Sequence, residues 1–326
     1  MKITAQRAEL AMEAIQLREF GYTEQQIADT LKVPQPAVCY WLKHFNNGKG
    51  NDVNNQATII DKRTMGVIDI KPRPITLFPC KYEEVGDRIS ADSIDLILTD
   101  PPYLVSATDM GRKNQADLQR DFGDWDNISQ EEYAASVSVW TGLMAKHLTD
   151  GGSLYLFIGF EQCFLWKQAL EGEGLSYNGL LIWHRSNPAP QIRKTRWCPA
   201  FDMILLYSKG SPRTFRWIGQ NEMHNVIEPP FKEVLTGAIS AGSEREGHWH
   251  PTQKPRWLLE KLLFVASAPG ARVLDPFAGS GSTAFAAQRL PGREIILVEP
   301  KSKYVGLIQS TAKEEFGCEV NLQKTS

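Results

Sequence analysis

Residues 273–283, Val273-Leu274-Asp275-Pro276-Phe277-Ala278-Gly279-Ser280-Gly281-Ser282-Thr283, read as strand, glycine turn, helix. The apolar pair ends on a carboxylate, and the glycines permit positive φ and close approach of a ligand to the backbone. The helix start that follows supplies unpaired N–H groups. Gly-x-Gly by itself is common in ordinary turns. Here Ala284 stands where a strict dinucleotide fingerprint has its third glycine, and the Gly-Lys-Ser/Thr of a phosphate loop is missing. The next apolar run, Glu294-Ile295-Ile296-Leu297-Val298, predicts a strand ending in Glu299, twenty residues after Gly279. An acid at that place suits ribose hydroxyls. The unit predicts an α/β domain that binds a nucleoside-containing cofactor, with or without a pyrophosphate.

The flanking sequence carries the same texture back to about Ile75. Ile94–Leu98, Ser153–Ile158, Leu180–Trp183 and Met203–Tyr207 read as strands beside Val273–Leu274 and Glu294–Val298. Helical stretches fall between them at Gln130–Leu148, Glu161–Glu173, Arg256–Ala268 and Thr283–Arg289. Such alternation predicts a doubly wound, mainly parallel sheet, whose ligands sit beyond the carboxyl ends of its strands. A second loop occupies such a place: Thr99-Asp100-Pro101-Pro102-Tyr103 follows the strand Ile94–Leu98 with almost no spacer. Two prolines fix φ and stiffen the turn. The loop offers a carboxylate and carbonyls to an amino group, and an aromatic face to a flat ring. A plain strand-ending turn would explain one Asp-Pro pair but not all four residues.

The chain of 326 residues is 42% hydrophobic and 23% charged, which excludes a disordered or collagen-like polymer. No apolar run is long enough to span a membrane, and the polar start MKITAQRAEL lacks the apolar core of a signal peptide. Five scattered cysteines without a CxxC pair fit reduced thiols of a cytosolic protein, and no metal-ligand cluster is visible. Before Ile75 the pattern differs. Leu10, Ala14, Leu17 and Phe20, then Ile27 and Leu31, then Val38, Trp41, Leu42 and Phe45 recur at helical spacing. Thr23 is placed to cap the second helix, and Pro34 and Pro36 break before the third. The reading is a small all-α domain over 1–46, a polar linker over 47–74, and an α/β domain over 75–326.

Asp-Pro-Pro-Tyr at 100–103, His250-Pro251-Thr252-Gln253-Lys254-Pro255, and then Asp-Pro-Phe-Ala-Gly-Ser-Gly-Ser-Thr at 275–283 together resemble the amino-group DNA methyltransferases, in the motif order of their beta class. The resemblance covers about Ile75 to Ala312. It implies a Rossmann-like methyltransferase domain, S-adenosylmethionine as cofactor, and double-stranded DNA as substrate, with the target base flipped out of the helix. Asp100 and the Pro101 carbonyl would accept the hydrogens of the exocyclic amine, Pro102 would stiffen the loop, and Tyr103 would stack on the base. Asp275, Phe277, Gly279, Gly281 and Ser282 would line the methionine and ribose side, Glu299 would take the ribose hydroxyls, and Thr252 and Lys254 the methionine carboxylate. Family members commonly carry an acid near the strand before the catalytic loop, where Cys80 and Lys81 stand here. Related cytosine-N4 enzymes more often carry Ser in place of Asp100, which favours adenine N6. A cytosine-N4 enzyme, an RNA or protein methyltransferase, and a DNA-binding regulator with a degenerate catalytic domain are the alternatives.

The net charge of −2 argues against a uniformly basic nucleic-acid binder, yet charge is unevenly spread. His184–Trp217 holds seven basic residues against one acid, interleaved with Trp197, Phe201, Tyr207, Phe215 and Trp217. Arg185, Arg193, Lys194, Arg196 and Arg213 are its candidate DNA contacts, within a target-recognition region over about 185–249. The N-terminal helices resemble a helix-turn-helix, with Gln35 and Lys43 on the recognition helix. The resemblance implies the cytoplasm of a bacterium or phage-infected cell. A second copy of the chain and a cognate restriction enzyme are the further partners it suggests.

Overall fold

The computed structural model describes residues 5–19, 22–47, 58–61, 66–69, 72–103, 129–185, 194–195, 197–218, 220, 222–228, 254–290 and 292–324. It opens with α1 (Ala5–Glu19), α2 (Glu24–Leu31) and α3 (Gln35–His44). Thr23 caps α2 as its sequence predicts: its hydroxyl accepts from the Gln26 N–H, and the Gln26 side chain accepts from the Thr23 N–H. Lys32 ends α2 in the left-handed region at φ 52°, and the chain then turns through Pro34 into α3.

After α3 come β1 (Phe45–Asn47), β2 (Thr58–Asp61) and β3 (Gly66–Asp69), an antiparallel three-stranded sheet. Two of these strands lie within 47–74, the span read as a polar linker. The β-branched runs Thr58-Ile59-Ile60 and Val67-Ile68 favour strands, a signal that the Asn- and Gly-rich sequence before them obscures.

The large sheet is built from β4 (Ile75–Phe78), β5 (Ile94–Thr99), β6 (Leu148–Ile158), β7 (Ser176–His184), β8 (Phe201–Ser208), β9 (Val226–Ile227), β10 (Arg272–Asp275), β11 (Glu294–Val298) and β12 (Val320–Leu322). The spatial order is β12-β4-β11-β10-β5-β6-β8-β7-β9, and only β8 runs against the others. Between strands lie α4 (Gln130–His147), α5 (Phe160–Gly172), α6 (Arg256–Ala266), α7 (Ser282–Gln288) and α8 (Ser302–Phe316). The doubly wound sheet is therefore present, and the strands and helices read from sequence fall within a few residues of their expected bounds. Two strands are longer than their sequence reading by five residues each, β6 beginning at Leu148 and β7 at Ser176. The helix α8 went unread, although Val305, Ile308, Ala312 and Phe316 show its buried stripe.

Alternation along the strands sorts the core onto two faces. Leu96, Leu98, Val273, Ile295 and Leu297 pack with α6, α7 and α8. Ile97, Leu274, Ile296 and Val298 pack with α4 and α5. Each such buried aliphatic side chain contributes about 1.5–3 kcal/mol.

The N-terminal helices are not a separate body. Ala11, Met12, Ile15, Ile27, Val38 and Trp41 belong to the same hydrophobic cluster as Leu258, Leu262 and Phe285. Glu13, fully buried in α1, forms ion pairs with Arg216 and with Arg293, the latter at 3.3 Å. Glu9 meets Arg73 at 3.2 Å. Arg73 and Arg293 stand just before β4 and β11, so α1 docks against the amino-terminal edge of the sheet. The expected boundary at residue 46 thus separates elements in sequence but not cores in space.

Candidate active site

The chain leaves β10 toward β11 on one side and leaves β5 toward β6 on the other, and β5 and β10 are neighbours, with Leu274 beside Ile97. This is the point where strand order reverses and where open α/β sheets bind ligands. Asp100 immediately follows β5 and Asp275 ends β10. The Thr99 hydroxyl ties the two strands by donating to Asp275 Oδ1 at 2.6 Å.

Asp275 is buried, and its Oδ1 also accepts the Phe277 N–H at 3.2 Å. Burial pushes its pKa up to about 6 although Thr99, Thr283 and the Phe277 N–H favour the charged form. Glu299 lies behind the glycine turn. Its oxygens accept the Gly279 and Lys301 N–H groups, each at 2.9 Å, and burial raises it to about 7. The sequence spacing of twenty residues therefore becomes a direct bond that shapes the loop. Gly281 caps α7 at φ 85°, and a Cβ there would stand 2.9 Å from Ile308 Cγ1. Only glycine satisfies both constraints.

The loop Asp100–Tyr103 is braced from both sides. The Pro102 carbonyl accepts the Tyr133 hydroxyl at 2.8 Å, and Tyr133 in turn accepts the Trp166 indole N–H at 3.1 Å. Tyr103 donates to Asp100 Oδ1 at 2.5 Å, and burial together with that carboxylate holds its phenol well above the usual value. Lys254 Nζ lies 2.6 Å from Asp100 Oδ2. Phe277 packs edge-on against Trp140, ring centres 4.9 Å apart.

One open cleft joins these groups: Asp100, Lys254, Asp275, Phe277, Gly279 and Ser282 line it. Of the cofactor set, Gly281 and Glu299 are not among the residues that line it, and Glu299 joins it through the Gly279 N–H of the turn. Thr252 lies outside the described residues. Sequence reasoning missed Thr99, Phe157 and Thr283 on the wall, and Tyr133 behind it. Thr99 and Phe157 stand at or near the carboxyl ends of adjacent strands, which is the signal that points to them.

The basic segment divides three ways. Arg185 directly follows β7 at the carboxyl edge of the sheet, where it donates to the Pro199 carbonyl at 2.8 Å, and Lys194 lies in the β7–β8 connection at that same edge. Arg193 and Arg196 lie outside the described residues. Arg213 lies elsewhere: reversed β8 carries the chain away, and Arg213 donates to the Asp150 carbonyl at 2.6 Å near the start of β6. Arg216, counted in the local charge, is buried against Glu13. Gln35 and Lys43 share an exposed face of α3 with Tyr40. Among the described residues no His, Cys, Asp or Glu cluster could hold a metal.

A family model described as DNA methylase, for the N6 and N4 enzymes, matches residues 94–310. The type II methyltransferase M2.DpnII of Streptococcus pneumoniae is 29% identical over 230 residues, covering 70% of this chain and 85% of its own. The type II methyltransferase M2.LlaDCHI of Lactococcus lactis subsp. cremoris is 30% identical over 221 residues, covering 67% and 82%. M1.HpyAVI, solved as its complex with SAM, shares the fold at a TM-score of 0.52 and 22% identity, over 72% of this chain and 98% of its own. With both motif loops at the switch point and the matched span running from β5 into α8, this chain belongs to the N6/N4 DNA methylase family.

Proposed function

We propose that this protein methylates adenine N6 in duplex DNA at a specific sequence, with S-adenosylmethionine as donor. The observation that carries the reading is the meeting of Asp100 and the Asp275–Gly279 loop in one cleft. The donor set fits the cofactor. The buried Asp275 carboxylate suits an ammonium, Lys254 a carboxylate, and the Phe277 ring an apolar stretch beside the glycine turn. Glu299, which keeps a lone pair on each oxygen, is the acid for ribose hydroxyls. When bound, the cofactor supplies an electrophilic methyl group on a sulfonium.

The amino nitrogen of adenine is conjugated with its ring and weakly nucleophilic. Asp100 and the Pro101 carbonyl accept its two hydrogens and favour a tetrahedral nitrogen with an available lone pair. Asp100 also stabilises the positive charge that develops there, so the work is positioning and electrostatics. Tyr103 supplies a face for the extruded base, and extrusion brings the nitrogen within reach. Arg185, Lys194 and the exposed Trp197 and Phe201 lie on the rim at the catalytic edge, suited to phosphate contact and base-stack intrusion. The exposed face of α3 is a second DNA contact. Among the described residues no helix is long and apolar enough to cross a membrane, and the enzyme works in the cytoplasm where its DNA is, beside a restriction enzyme of matching specificity.

The test is sequencing of modified bases in DNA from a methylation-free host that expresses the protein. N6-methyladenine at one recurrent sequence is expected. Asp100→Ala should abolish the modification while cofactor binding survives. N4-methylcytosine at the site, or equal loss of both activities in the variant, overturns the assignment.

A further inference from the structure

Both oxygens of the Asp100 carboxylate already hold donors. Tyr103 donates to Oδ1 at 2.5 Å and the Lys254 ammonium to Oδ2 at 2.6 Å. The Lys254 side chain is only 10% exposed, and its nitrogen lies 5.0 Å from the centre of the Phe157 ring and 5.9 Å from that of Tyr103. A tetrahedral, cationic nitrogen between aromatic faces, donating to a carboxylate, has the chemistry of the target nitrogen at the moment of methyl transfer. Lys254 therefore stands in the place that the amine must take.

A lysine can leave that place. Its ammonium rides on a flexible four-carbon stem and acts as a point charge, without the fixed fork of an arginine. Lys254 precedes Pro255, the cap of α6, so the stem can swing while the backbone stays fixed. It lines the same cleft as Asp275 and the glycine turn, and an amino-acid carboxylate bound there offers it a second partner of equal charge.

We propose that Lys254 is a positioning residue shared between Asp100 and the carboxylate of the cofactor, so that cofactor binding frees Asp100 to receive the base. The inference rests on the reading of this cleft as the S-adenosylmethionine site. Cofactor then binds before the flipped base, and the coupling is reciprocal: whatever loosens Lys254 from Asp100 strengthens its hold on the cofactor.

The experiment is calorimetric binding of S-adenosylhomocysteine to the full chain, which reads neither DNA nor turnover. Asp100→Asn, close to isosteric, should bind it about three- to tenfold more tightly than the wild type, because the lysine is released. Lys254→Met should bind it more weakly, and the double variant should match Lys254→Met, with no tightening left. 5′-Methylthioadenosine, which lacks the amino-acid carboxylate, should bind wild type and Asp100→Asn alike, and this comparison decides even where Lys254→Met binds too weakly to measure. Unchanged or weaker binding by Asp100→Asn overturns the proposal. So does tightening that persists without Lys254 or appears with 5′-methylthioadenosine, since that is a general charge effect. Asp275→Ala reports the cleft assignment separately: wild-type affinity there overturns the cofactor site itself, and a loss leaves the Lys254 result to stand alone.

Discussion

Under the proposed function, Asp275 is the residue at which protonation would bear on cofactor binding. Its carboxyl is pushed up to about 6 by burial, so it takes up a proton in a range where most carboxylates stay charged. A neutral carboxyl cannot hold an ammonium strongly. Affinity for S-adenosylhomocysteine should therefore fall as pH drops from 7 to 5, bending near 6, and Asp275→Asn should bind weakly with the bend removed. Calorimetry across that range checks it; a flat wild-type profile would sink the role. The effect on folding has the opposite sign. A raised carboxyl destabilises the native state once charged, and acidification relieves that cost. The candidate role of Asp275 was legible from its place at a strand end. Its elevated pKa was not, because the burial that raises it exists only in the assembled site, as do the Thr99 and Thr283 hydroxyls that oppose the rise. Lys254 makes the same point, since 154 residues separate it from Asp100.

Among the elements, the turn from β10 into α7 carries the tightest constraint. Gly281 needs a positive φ, and its missing Cβ leaves room for Ile308 and Phe285, which would lie 2.9 and 3.2 Å from it. Gly281→Ala should cost about 1–3 kcal/mol, through backbone strain and overpacking together. The thermal midpoint should fall by several degrees, and S-adenosylhomocysteine should restore less of it than it adds to the wild type. An unchanged melt would show that α8 yields easily. Strand and helix positions could be read from periodicity, since the patterns of 2 and 3.6 residues are local. The β2–β3 hairpin escaped because its strands are four residues each, set beyond an asparagine-rich stretch. The reversal of β8 also left no local trace, and it decides that Arg213 ends at the opposite edge from Arg185.

For the whole molecule, the docking of α1 matters most. Glu13 is 0% exposed and stands between Arg216 and Arg293, themselves 4% and 2% exposed. Removing one member of such a buried group leaves charge uncompensated, at a cost of about 3–5 kcal/mol. Glu13→Gln should lower the denaturation midpoint of the entire chain, followed by intrinsic tryptophan fluorescence, although it lies far from the cleft. A midpoint equal to the wild type would mean that the three helices are an appendage. This arrangement also sets the helical unit apart from the cleft. The catalytic loops lie at the carboxyl edge of the sheet and α1 at the other, separated by roughly 16 Å along the five residues of β11. The net charge of −2 hides this division, since basic residues of one short segment go to the catalytic edge, the opposite edge and the buried interface with α1.

The sequence by itself determined the class of fold, the two motif loops and their family, because those signals depend on neighbouring residues: apolar period, glycine and proline geometry, and an acid at a strand end. Only the tertiary structure decided which charges stand at the carboxyl edge of the sheet, which brace the loops, and which bury themselves against α1. A lysine, an arginine or a glutamate has the same chemistry wherever it stands in the chain. Its role is set by the groups that folding brings within about 3 Å, where a charge-assisted hydrogen bond forms, and those groups lie tens to hundreds of residues away.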